Sequence, residues 1–130
     1  MNSTADGSLY LTVYDMAKWD DALYTEKPLK KSILDQMWTA VTLNNGKTHP
    51  YGLGWFIVEV RGHRLIHHGG AWQGFQVGMQ RYVNDRLTVI AFDNLAGSNV
   101  EKIIRGVAAL FNEQLRPLPQ SHAVRDGQTE

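Results

Sequence analysis

At 130 residues the chain has the size of one ordinary domain, and 43% hydrophobic, 10% aromatic and 20% charged residues place it with folding globular sequences rather than disordered ones. Thirteen basic and thirteen acidic residues cancel, with no basic run, which argues against nucleic acid or an anionic membrane as partner. No cysteine is present, so disulfides and thiolate chemistry are excluded while the compartment stays open. No apolar run reaches membrane-spanning length, and "MNSTADGSLY" lacks the basic and apolar regions of a signal peptide.

In chain order, "LTVYDMAKWDDALY" places Val13, Met16, Ala17 and Leu23 near helical spacing, with Thr12 as N-cap and Asp15 closing a capping box. "EKPLKKSILDQMWTAV" predicts a second short helix, with Pro28 in its first turn and Ile33, Leu34, Met37 and Trp38 on one face. "TLNNGKTHPYGLG" reads as loop, and its "NGKT" lacks the upstream glycine and the strand-to-helix context of a phosphate loop.

Sheet is expected from about Trp55. "WFIVEV", "HRLIHH", "GFQVGMQRYV" and "RLTVIAF", separated by Arg61-Gly62, "GGAWQ" and Asn84-Asp85, predict a four-stranded antiparallel meander. Phe75, Val77, Met79 and Val83 alternate with Gln76, Gly78, Gln80 and Tyr82, which predicts one packed face and one more polar face.

"SNVEKIIRGVAALFNEQLRP" carries Val100, Ile103, Ile104, Val107, Ala108, Phe111 and Leu115 in a helical stripe, with Ser98 and Glu101 as a capping box and Pro117 as stop. This helix should cover the apolar sheet face. The fold class is therefore α+β, with residues 1–119 as a single domain and 120–130 as a frayed tail.

The chemical candidates centre on "LIHHGGAWQGF". His49, His63, His67 and His68 crowd a short span, but adjacent strand residues face opposite sides, so His67 and His68 are poorly placed to chelate one ion, and no metal or other cofactor is expected. Neither G-x-S-x-G nor S-x-x-K occurs: Ser3, Ser8, Ser32, Ser98 and Ser121 are followed three positions later by Asp, Leu, Asp, Glu and Val. Glycines after a histidine on a strand allow close approach to the backbone, while the histidine can donate a hydrogen bond or a proton near neutral pH. That combination can form one wall of an acyl-transfer site. Equally, Gly69 and Gly70 can serve only a bulge or turn, with Trp72 packing and the histidines incidental.

Four segments then carry a resemblance. "DGSLYLTVYDMAKWDDAL", "LDQMWTAV", "YGLGWFI" and "HHGGAWQGF" resemble, in order, the GG-L-x-T-x-x-D-(L/M)-A-(K/R)-(F/W), L-x-x-M-W-T-P, Y-G-L-G-W and H-x-G-G-x-x-G-F segments of serine β-lactamase and penicillin-binding-protein-like hydrolases. That family includes class C β-lactamases, D-alanyl-D-alanine carboxypeptidases and esterases. The match runs from Asp6 to Leu115 but covers only about the last third of a family domain of typical size, so a partial β-lactamase/transpeptidase-like fold is implied.

The resemblance implies a serine hydrolase that cleaves an amide or ester of a small-molecule or peptide substrate, with its S-x-x-K and Y-x-N groups upstream of this segment. Tyr82-Val83-Asn84 spells Y-x-N but follows the glycine element, so it is read as turn chemistry. The register set by Gly74-Phe75 puts His68, Gly69 and Gly70 where the family has K-T-G or H-x-G, lining the substrate cleft with Trp72, and makes the Ala71 N–H one oxyanion-hole donor. His68 would hydrogen-bond the substrate, and His67 would face away and be structural. Whether the chain acts as an enzyme by itself stays open, since it carries no recognisable nucleophile. The resemblance implies inactivity without the N-terminal part of the fold, and a periplasmic or secreted location. A noncatalytic homologue that self-associates through an exposed sheet edge, a homo-oligomer, is the competing expectation.

Overall fold

The computed structural model describes residues 7–116. The expected tail lies outside them, as do Ser3, Pro117 and Ser121. Helix α1 (Val13–Ala22) starts at Thr12, whose hydroxyl accepts from the Asp15 N–H while the Asp15 carboxylate accepts from the Thr12 N–H. The capping box is therefore present, and these bonds hold the Asp15 carboxyl below its ordinary range. Its buried face differs from expectation: Met16, Asp20 and Leu23 turn inward, whereas Val13 and Ala17 are exposed.

Helix α2 (Lys31–Met37) begins after Pro28, which lies in the preceding turns rather than the first helical turn. Leu34 is buried and Ile33 exposed. The expected loop after it contains a small hairpin, β1 (Val41–Thr42) with β2 (Thr48–His49).

Strands β3 (Phe56–Val60), β4 (His63–Trp72), β5 (Phe75–Tyr82) and β6 (Leu87–Asp93) form the predicted antiparallel meander in the order β3-β4-β5-β6. Two-residue turns join the first three strands. Arg61 and Gly62 (φ 52° and 86°) connect β3 to β4, and Gln73 and Gly74 (φ 40° and 96°) connect β4 to β5, the positive-φ pairs that match strand twist. Thus "GGAWQ" is not the turn: Gly69, Gly70, Ala71 and Trp72 continue β4 in unbroken register with β5. Val83 lies not in a strand but in a 3₁₀ turn, Val83–Asp85.

Helix α3 (Val100–Phe111) is capped by Asn99, which accepts from Lys102 N–H at 2.9 Å, rather than by Ser98. It ends at Phe111, where Asn112 turns to extended geometry and caps a second 3₁₀ turn, Glu113–Leu115.

Both faces of the sheet are packed, which corrects the expectation of one polar face. Leu65, Tyr82 and Val89 meet Val100, Ile104 and Ala108 of α3 on one side. On the other, Ile66, Met79 and Trp55 meet Leu23 and Leu34 beside α1 and α2. The face of Gly78, Gln80 and Tyr82, expected to be the more polar one, is the face that α3 covers, and the polar Gln80 on it and Arg81 on the opposite face are both internal. The Gln80 amide donates to Glu101 and accepts from the Tyr82 hydroxyl at 3.0 Å. Arg81, 0% exposed, pairs with Asp20 of α1 and lies 4.8 Å from the Tyr24 ring and 5.0 Å from the Trp38 ring. Polar side chains can be buried here because each finds a partner across the layer.

Candidate functional site

The pairing of β3 stops at Phe56↔His67, whereas β4 runs on to Trp72. Among the described residues no strand pairs with the outer edge of His68–Trp72. An edge of this kind presents unpaired N–H and C=O groups to an incoming chain or ligand. The sequence-derived residues His68, Gly69, Gly70, Ala71 and Trp72 all fall on this overhang and all are exposed.

Crowding on both faces explains the two glycines. A Cβ on Gly69 would stand 3.1 Å from the Val77 carbonyl oxygen and 3.4 Å from Glu101 Oε1, and one on Gly70 would stand 3.3 Å from Val77 Cγ2. These contacts answer the bulge reading: the strand is unbroken, and small residues let it lie close to β5. Trp72, half exposed, covers the backbone of Gly7 at 3.6 Å from that glycine's pro-Cβ position.

The register separates the histidines. His67 lies opposite Gln80 on the α3 side, and His68 lies opposite Met79 on the α1/α2 side. Burial holds His67 below the usual imidazole value, against the opposing pull of Glu101, and its Nδ1 is buried without a partner. A neutral ring suits that position.

His68 is differently engaged. Its Nδ1 stands 2.7 Å from the Gly69 carbonyl oxygen, and its Nε2 stands 3.0 Å from the Tyr51 hydroxyl. A carbonyl oxygen only accepts, so Nδ1 carries a hydrogen; the neutral ring then accepts at Nε2 from the Tyr51 O–H. Phe56 stacks within 5.7 Å of the His68 ring and meets Tyr51 edge-on at 4.7 Å.

The sequence marks Tyr51 only as the first letter of the Y-G-L-G-W segment. Tyr51 reaches His68 because the segment after β2 folds back. The Tyr51 carbonyl accepts from Val41 N–H at 3.0 Å, its N–H donates to the His49 carbonyl at 2.7 Å, and Gly52 N–H donates to the Trp55 carbonyl at 2.8 Å. Any side chain at Gly52 would collide with the Met37 carbonyl oxygen at the end of α2.

Of the other histidines, His49 lies on β2, and His63 is bound at the far end of β4 by Asp85 (2.8 Å) and Gln114 (3.1 Å). Among the described residues no group of three or more His, Cys, Asp or Glu side chains converges to hold a metal ion. Tyr82 is buried, with burial raising its pKa, and Asn84 sits exposed in the 3₁₀ turn, so the Tyr82-Val83-Asn84 triplet does not open onto the β4 edge.

Residues 1–112 match the family model described as Beta-lactamase. Penicillin-binding protein 4* of Bacillus subtilis is 34% identical over 91 residues, covering 68% of this chain and 20% of that protein. A D-aminopeptidase of Brucella anthropi is 29% identical over 92 residues (71% of this chain, 18% of that protein), and one of Gluconobacter oxydans is 26% identical over 98 residues (75% and 19%). The chain thus spans about a fifth of the length of these relatives. With the antiparallel sheet, the covering C-terminal helix and the matched segment in hand, the chain belongs to the serine β-lactamase and penicillin-binding-protein-like family.

Proposed function

We propose that this chain is the sheet-and-helix segment of a serine hydrolase, residues 1–119 forming one unit, and that its β4 overhang supplies the oxyanion wall of the complete active site. The observation that carries the reading is the unpaired outer edge of His68–Trp72, at the position of the family's H-x-G-G element. In the complete enzyme a serine oxygen contributed from outside this sequence attacks the substrate carbonyl. The Ala71 N–H and the serine's own N–H bind the developing oxyanion, and the leaving amine or alcohol departs with a proton. Water then attacks the acyl-enzyme, releasing the acid and restoring the serine. Losing one oxyanion donor costs about 3 kcal/mol of transition-state stabilisation. His68 and Trp72 border the substrate, and no metal or organic cofactor is required for this chemistry.

Apolar side chains left open on the far side of α3 support the view that further protein covers this unit. Ile103, Leu110 and Phe111 follow one helical stripe and are 50%, 83% and 75% exposed. The test is to assay the 130-residue chain with nitrocefin and p-nitrophenyl esters and to probe it with a fluorescent penicillin. No turnover and no covalent label are expected; turnover at an ordinary enzymatic rate refutes the assignment of the nucleophile elsewhere.

The same open edge favours a second reading, a noncatalytic homologue that pairs with a second copy of itself through β4. Light scattering distinguishes them: a concentration-dependent dimer supports the second reading, and a monomer from micromolar to millimolar concentration rejects it.

A further inference from the structure

We propose that Tyr51 is the positioning residue of His68, and that the cleft is addressed by a coupled hydroxyl–imidazole pair rather than by a free imidazole. The proposal rests on the assignment of His68 to the substrate cleft. It is carried by both ring nitrogens being engaged, Nδ1 with the Gly69 carbonyl at 2.7 Å and Nε2 with the Tyr51 hydroxyl at 3.0 Å.

The chemistry follows from the inventory of donors. With Nδ1–H given to Gly69, the neutral ring holds no free donor, and the hydrogen of Tyr51 is given to Nε2. What remains open on the pair is the acceptor capacity of the phenolic oxygen. When Nε2 takes up a proton, the bond reverses: Nε2–H donates to the Tyr51 oxygen, and the phenolic hydrogen is released to point at a substrate oxygen. Protonation at His68 is thereby converted into a donor at Tyr51 without movement of either ring. The neutral pair suits a substrate N–H or ammonium group, and the protonated pair suits a carboxylate or carbonyl.

The placement of Tyr51 is built into the fold. Its ring packs edge-on against Phe56 at 4.7 Å, and its backbone is tied to Val41 and His49. Tyr51→Phe therefore keeps the packing and removes only the hydroxyl.

Long-range 1H–15N spectra of the 130-residue chain, recorded where the imidazole is neutral, read the tautomer of His68 directly. The unmodified chain should show predominantly Nδ1–H. Tyr51→Phe should move the tautomer ratio toward Nε2–H by at least about threefold, the size that one neutral hydrogen bond supports. Predominant Nε2–H in the unmodified chain, or an unchanged ratio in Tyr51→Phe, overturns the proposal. Phe56→Leu serves as the second variant: it loosens the packing but keeps the hydroxyl, so a ratio that shifts as far as in Tyr51→Phe also overturns it. None of these readings depends on activity. If the assignment of His68 to the cleft is wrong, His68→Ala in the complete enzyme leaves turnover intact while the tautomer result stands.

Discussion

Asp20→Asn offers the sharpest measure of how α1 is held to the sheet. Asp20 sits 8% exposed on α1, pairs with the fully buried Arg81 of β5, and also accepts from the Thr88 hydroxyl at 3.0 Å. Asparagine keeps the volume and removes the charge. Arg81 Nη1 and Nη2 are already buried without hydrogen-bond partners, so the guanidinium is left with a neutral amide oxygen at Nε and the Tyr24 and Trp38 rings, and no counter-charge. The ring contacts are present before and after the change and cancel; breaking a buried pair from one side costs about 3–5 kcal/mol, of which the neutral hydrogen bond to the retained amide oxygen recovers about 1 kcal/mol. A net loss of about 2–4 kcal/mol is expected, a large share of the stability of a domain this size. Urea unfolding followed by tryptophan fluorescence measures it as a fall in the midpoint with the slope unchanged. A double variant, Asp20→Leu with Arg81→Met, should recover most of the loss, because no charge is then left buried. A loss in Asp20→Asn below about 1 kcal/mol, the range of an exposed pair, would refute the argument that the pair clamps the layer.

Three further outcomes follow from the same packing. In Gly78→Ala the new methyl would stand 2.6 Å from Ile104 Cδ1 and 3.5 Å from Val100 Cγ1, so the fully buried Ile104 must repack at a cost of about 1–3 kcal/mol in the same urea titration; an unchanged midpoint contradicts that contact. Gly52→Ala drives the segment that carries Tyr51 away from the Met37 carbonyl, and the His68 ring signals should then move toward those of Tyr51→Phe; identical spectra would show that the segment yields elsewhere. His63 is raised from its ordinary 6.5, first by Asp85 and then by Gln114, against the lowering influence of desolvation and, less, of Arg61. The folded chain therefore binds the proton more tightly than the unfolded one, and the stabilisation is complete below pH 6.5 and lost as pH rises through the raised folded value. His63→Gln should flatten that part of the stability profile, and a profile identical to the unmodified chain would exclude His63 as its source.

Much of the architecture follows from short-range chemistry. Alternating apolar residues place the strands, Arg61-Gly62 supplies a positive-φ turn, and the stripe beginning at Val100 identifies α3 and its covering role. The H-x-G-G element is equally local, so the candidate β4 segment can be picked out without coordinates. Local preference gives the wrong boundary where a long-range partner outweighs it. Gly69 and Gly70 look like a turn, but backbone pairing with β5 carries the strand through them, because ladder hydrogen bonds need no side chains and the crowding favours none.

Burial of these polar side chains could not be inferred from alternation, since Gln80 on the α3 face and Arg81 on the α1 face look like solvent-facing residues until Glu101 and Asp20 are brought to them from other elements. The approach of Tyr51 to His68 is of the same kind. Seventeen positions separate them, and no periodicity relates a loop tyrosine to a strand histidine. Residue pattern specifies which faces are apolar and where the chain turns, because those depend on neighbours a few positions away. Pairing of polar groups across layers depends on how the layers dock, and that is what brings Tyr51 to His68.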